Sequence, residues 1–173
     1  MFTTTLRGIG ASLILIAGMG SAMAQESTNV VATEGDWTVF AADNPRECWA
    51  VSPPKSTLNT KDGQPAEVTR GDIRLYVAYR PGQAGEVSFT GGYPFAPDST
   101  VEVDIGGRKF NLFTEGESAW TGSPSDDQAL VGALRAGATA VVTGRSARGT
   151  TTKDTFSLSG ITAATNTAQE RCK

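Results

Sequence analysis

Gly106-Gly107 sits between two runs that alternate apolar and polar residues, and it constrains the fold more than any other feature of the chain. Thr100–Ile105 (TVEVDI) places Val101, Val103 and Ile105 on one face, and Lys109–Thr114 (KFNLFT) returns with Phe110 and Leu112. Two glycines supply the positive φ of a two-residue hairpin turn, so the runs form an antiparallel pair with one buried face. The same alternation recurs in Asp72–Arg80 (DIRLYVAYR), with Ile73, Leu75, Val77 and Tyr79 on one side. Pro81-Gly82 turns that strand toward Glu86–Thr90, where Val87 and Phe89 face inward.

Further strands follow from the same reasoning. They are Asp36–Phe40, Glu47–Ser52, Thr139–Arg145 and Thr152–Gly160, with a short one closing at Trp120. Pro53 and Pro54 remove two ladder donors and end the strand before them. The polar stretch Pro54–Arg70 reads as a long exposed connection. One main helix is expected near 124–136. Ser123 caps it, Pro124 suits its first turn, and Asp126 favours its positive end. Leu130, Ala133 and Leu134 form its apolar stripe, and Gly137 is expected at a left-handed C′ position. Ala163–Arg171 reads as a short terminal helix. Many short strands without a βαβ alternation predict a mainly β, antiparallel sandwich or barrel-like fold.

The N-terminus reads as a cleaved Sec-type signal peptide, residues 1–24. Arg7 precedes a short apolar run around Gly10–Gly18, and Ala22-Met23-Ala24 offers small residues for cleavage before Gln25. A run of about 11 apolar residues is too short to span a bilayer, which takes about 20. Residues 25–35 are expected to be a flexible arm and 36–173 a single domain. The whole chain carries a net charge of −3, and losing Arg7 with the leader makes it more acidic. That disfavours nucleic acid and anionic membrane surfaces as partners, and no stable membrane insertion is expected after cleavage. Its two cysteines, Cys48 and Cys172, read as one long-range disulfide in an oxidising compartment, the alternative being two free thiols. Closing a loop of about 125 residues is worth about 4–5 kcal/mol in the chain-entropy model.

The inventory for catalysis is thin. With no histidine, Ser-His and Cys-His pairs and imidazole metal sites are excluded. Ser52-Pro53-Pro54-Lys55 spells S-x-x-K, but two prolines forbid the helical geometry that pairs those side chains. Glu115 and Glu117 read as solvated edge charges, and Asp126 and Asp127 as partners of the helix dipole. No catalytic residue, cofactor or metal site is therefore expected. Two stretches stand out as candidates for binding a partner. One is the loop Gly91–Pro97 (GGYPFAP), where Tyr93 and Phe95 either form an apolar patch or seal one end of the core. The other is the basic tip Arg145-Ser146-Ala147-Arg148-Gly149, which suits an acidic protein surface or a lipid headgroup and otherwise reads as a solvated turn.

The succession DWTVF, ECWAVS, PFAPDSTVEVDIGGRKFNLF, ALVGALRAGATAVV and DTFSLSGITAA resembles the invasion-associated locus B family of exported alphaproteobacterial proteins. The resemblance covers Asp36 to about Ala164 and implies an immunoglobulin-like β-sandwich, with host-cell invasion associated with pathogenic members. Family members commonly carry a further cysteine pair after the second hairpin strand, where this chain has TEGESAW and no cysteine. The functional expectation is a non-enzymatic periplasmic or envelope protein that binds a protein or envelope component. The alternatives are a secreted adhesin acting on host cells, and a carboxylate-based hydrolase or sugar-binding protein.

Overall fold

The computed structural model describes residues 29–173. The expected signal peptide, and the start of the expected arm at 25–28, lie outside the described residues.

Among the described residues, twelve strands make one continuous antiparallel ladder. They are β1 (Val30–Glu34), β2 (Trp37–Asp43), β3 (Arg46–Ser52), β4 (Ser56–Lys61), β5 (Gln64–Pro65) and β6 (Arg74–Tyr79). The others are β7 (Glu86–Thr90), β8 (Thr100–Ile105), β9 (Arg108–Glu115), β10 (Ser118–Trp120), β11 (Thr139–Arg145) and β12 (Thr151–Ser157). Helix α1 (Pro124–Ala136) separates β10 from β11, and α2 (Ile161–Arg171) follows β12. The hydrogen-bonded order is β1-β2-β3-β6-β7-β10-β9-β8-β11-β12-β4-β5.

The ladder folds over on itself. Five strand spacings separate β7 from β12, about 24 Å in a flat sheet. Yet the rings of Phe89 on β7 and Phe156 on β12 meet edge to face with centroids 6.2 Å apart. The two halves of the ladder therefore face each other as the layers of a sandwich. Trp37, Val39, Leu75, Val77, Val101 and Leu112 fill the space between them and are fully buried. The expected antiparallel β architecture and the helix at 124–136 are both present.

Local chemistry explains the ends of α1. Ser123 Oγ accepts the Asp126 backbone N–H at 3.3 Å, and Pro124 stands at the first helical position. Gly137 departs from expectation: its backbone is extended, with φ −89° and ψ 169°, rather than left-handed. A Cβ there would meet Ile105 Cγ2 at 2.5 Å and Leu158 Cδ1 at 3.0 Å. Glycine is needed at this point for close packing against the sheet, not for dihedral freedom.

Three further expectations are corrected. The supposed arm contributes β1, whose residues pair with β2 through an irregularity between Val30 and Ala32. Its turn is locked from outside: a Cβ on Gly160, which has φ +92°, would come within 1.9 Å of Glu34 O. The supposed connection Pro54–Arg70 contains β4 and β5. β4 pairs with β12 from Ser56↔Thr155 to Thr60↔Thr151, and its polar side chains suit a strand near the sheet edge. The last strand stops at Ser157 and the terminal helix begins at Ile161, because Gly160 takes the left-handed cap.

Candidate functional site

Two segments that the sequence offers separately, the aromatic loop and the basic tip, meet in the fold. The loop between β7 and β8 is held on both sides by backbone hydrogen bonds. The Phe95 N–H donates to Gly116 O at 2.8 Å, the Ala96 N–H to Arg145 O at 2.9 Å, and the Ala147 N–H to Pro94 O at 2.9 Å. Phe95 and Ser146 form an isolated β-bridge. The turn from β11 to β12 is closed by the Ser146 N–H donating to Thr150 O at 2.8 Å.

The rings diverge in role. Phe95 is buried against Phe89, with centroids 6.2 Å apart, so it belongs to the core and does not form the exposed apolar patch that was one expectation for it. Tyr93 stands edge-on to Phe95 at 5.1 Å and is half-buried. Its hydroxyl shares a 2.6 Å hydrogen bond with Thr152 Oγ1. Gly144 makes room for this pair: a Cβ there would lie 2.9 Å from both Phe95 Cε1 and Tyr93 Oη.

Beneath Tyr93 lies an ion pair for which the sequence carries no local signal. Arg70 Nη1 donates to Asp154 Oδ1 at 2.7 Å and Nη2 to Oδ2 at 2.6 Å. Both side chains are buried, at 6% and 0% exposure. Arg70 Nε donates to Gly91 O at 2.9 Å, and the guanidinium carbon sits 5.0 Å from the centre of the Tyr93 ring. The arginine thus ties the segment after β5 to the aromatic loop and to the middle of β12. Burial pushes the Tyr93 phenol above its ordinary range, so near neutral pH it is a neutral hydrogen-bonding group.

A cleft of about 430 Å³ opens beside this cluster. Arg148, Tyr93, Thr150 and Thr152 line it, together with Glu67 and Glu117. Arg148 makes no ion pair among the described residues and is exposed. Arg145 is also exposed but does not line the cleft. The cleft offers the guanidiniums of Arg70 and Arg148, the carboxylates of Glu67 and Glu117, hydroxyls and one aromatic ring, an arrangement that suits binding.

The carboxylates weighed for catalysis are dispersed. Glu115 and Glu117 are exposed around the turn between β9 and β10. Asp126 accepts from Ser123 Oγ at 2.7 Å in the α1 cap. Asp127 is buried, its Oδ1 accepting the Val87 N–H at 2.7 Å and the Thr121 hydroxyl at 2.7 Å, which pins α1 to β7. Ser52 and Lys55 do not pair; the Ser52 hydroxyl donates to Asp36 O at 2.8 Å and the Lys55 ammonium to Asp36 Oδ1 at 2.8 Å. Among the described residues no three His, Cys, Asp or Glu side chains come together as metal ligands, and no helix is long and apolar enough to cross a membrane. Cys48 and Cys172 form a disulfide between β3 and the residue after α2, with both cysteines buried.

Comparison with known proteins fits this architecture. The chain is similar in fold to the crystal structure of invasion associated protein b from Bartonella henselae, with a TM-score of 0.55 at 15% identity over 79% of this chain and 94% of that one. A comparison with the curated proteins finds no match. The family model described as invasion associated locus B (IalB) protein matches residues 37–169, from the first core tryptophan to the last turns of α2. The chain therefore belongs to the invasion associated locus B family.

Proposed function

We propose that this protein is exported to the periplasm or envelope and works there without catalysis, binding a protein or envelope component through the cleft between Tyr93 and Arg148. The observation that carries the reading is the junction of the aromatic loop with the basic tip. Backbone hydrogen bonds of Ala147 and Gly149 hold the turn that carries Arg148, an unpaired cation among the described residues, against the cleft that it lines with Tyr93. A guanidinium there is suited to a carboxylate or phosphate on the partner. The sequence of residues 1–24 supports export, and the disulfide is in keeping with an oxidising compartment.

Pull-down from envelope extract with the mature chain tests this reading. Recovery of a defined component by the wild type, lost with Arg148→Ala and weakened by raised salt, supports it. Recovery of nothing above background at several salt concentrations overturns it. A secreted adhesin is the second reading, motivated by the family's association with host-cell invasion. Surface labelling and fractionation separate the two, since protein confined to the periplasm excludes an adhesin.

A further inference from the structure

On the outward side of the β10–β9 pair, Phe113 and Trp120 are direct cross-strand partners. Their ring centroids are 5.8 Å apart and their planes are tilted by 31°. Phe113 is 49% exposed, although the inward face of the same strand is packed through Leu112. Trp120 also pairs with Ser88 on β7, and Ser88 with Tyr76 on β6. The aromatic surface thus continues across a hydroxyl to a third ring, two strand spacings or about 10 Å away.

Next to the ring pair is a hollow of about 400 Å³, bounded by Glu86 and by the first turn of α1. Ser123, Thr121 and the carboxylates of Glu86 and Asp127 converge on it. Asp127 is 8% exposed and accepts both of its side-chain hydrogen bonds through Oδ1; among the described residues no hydrogen bond reaches Oδ2. Of the two carboxylates on the hollow, Glu86 is paired with a cation and, among the described residues, Asp127 is not. Arg80 pairs with both Glu86 and Glu47, and Lys109 pairs with Glu102.

An aromatic pair beside hydroxyls and carboxylate acceptors is complementary to a ring with an apolar face and a rim of hydroxyl donors. Among the described residues no lysine or arginine lines the hollow, which disfavours an anionic ligand; the free Asp127 oxygen suits a hydroxyl donor, and the length of the aromatic surface suits more than one ring. We propose that the Phe113–Trp120 platform and the adjoining hollow bind a neutral oligosaccharide of pyranose units. The site is separate from the Arg148 cleft and stands or falls independently of it.

The test is titration of the full mature chain with cellohexaose, chitohexaose and maltohexaose up to about 10 mM, followed by tryptophan fluorescence and by NMR shifts. Polygalacturonate and tetramethylammonium chloride serve as charged controls. Saturable binding of a neutral hexasaccharide is expected, weakened about tenfold or more by Trp120→Ala and by the milder Phe113→Ser, and unchanged by Arg148→Ala. Thermal unfolding checks that each variant is folded; Phe113→Ser, on an exposed side chain, carries the test if Trp120→Ala does not fold. No saturable change with any neutral probe overturns the proposal, as does binding that both variants leave intact. Preference for either charged control overturns it as well. So does a wild-type dimer in sedimentation velocity that Phe113→Ser dissociates, which would assign the face to a second copy of the chain.

Discussion

Arg70 and Asp154 stand 84 residues apart in sequence and form a two-pronged buried ion pair, with contacts of 2.7 and 2.6 Å, under the ring of Tyr93. Removing one partner leaves the other as an uncompensated buried charge. Asp154→Ala is expected to cost about 3–5 kcal/mol, whereas Arg70→Met combined with Asp154→Leu costs much less than the sum of the single changes. Urea unfolding of the four members of the cycle measures this. Additive effects would show that the pair is not coupled.

The disulfide closes nearly the whole domain, with a sequence separation of 124. Cys48→Ser with Cys172→Ser is expected to lose about 2–5 kcal/mol and to lower the thermal midpoint. Non-reducing peptide mapping of the exported protein should recover the Cys48–Cys172 crosslinked peptide. Two alkylatable thiols in the native protein would contradict it.

Gly132 and Gly137 are predicted to respond in opposite directions to alanine. A Cβ on Gly132 meets nothing within 4 Å, so Gly132→Ala should stabilise α1 by about 0.5–1 kcal/mol. At Gly137 the same methyl enters Ile105 at 2.5 Å, and Gly137→Ala should destabilise by about 1–3 kcal/mol. Chemical denaturation of both variants is the check.

Asp127 holds the buried Val87 N–H as well as the Thr121 hydroxyl. Asp127→Ala orphans that amide and is expected to cost about 2–3 kcal/mol, with faster amide exchange at Val87. Asp126→Ala, at the exposed cap, should cost less than about 1 kcal/mol.

Alkaline pH should weaken the fold. Burial holds the phenols of Tyr79 and Tyr93 above their ordinary value of 10.0. Above that value the unfolded chain has lost these protons while the folded chain keeps them, so stability falls as pH rises through the folded values. Their contribution is fully present below about pH 10. Tyr93→Phe should flatten the decline in urea midpoint between about pH 9 and 11, and an unchanged slope would exclude Tyr93 from the effect.

Much of the frame was legible in the chain because its causes are local. Alternation placed Val101, Val103 and Leu75 in the core, and Ser123 with Pro124 marked the start of α1. β1 and β4 were not legible, since Val30–Glu34 has no clean period and Ser56–Lys61 is polar. Both are strands because a neighbouring backbone satisfies their amides, and that neighbour lies far off in sequence for β4.

The candidate site divides in the same way. Tyr93 and Arg148 are legible as residue types in loops, but nothing local indicates that Phe95 bridges to Ser146 or that Arg70 reaches Asp154. Nor did the alternation at Phe113 and Trp120 reveal that their outward rings would become neighbours across a strand pair. The sequence by itself determined the strands with strong alternation, the capped helix and the thin catalytic inventory, because side-chain period, turn dihedrals and residue chemistry act over a few residues. Only the tertiary structure decided the order of the ladder, the buried ion pair and the make-up of the two surfaces proposed for binding, because those depend on which distant segments come to share a desolvated neighbourhood.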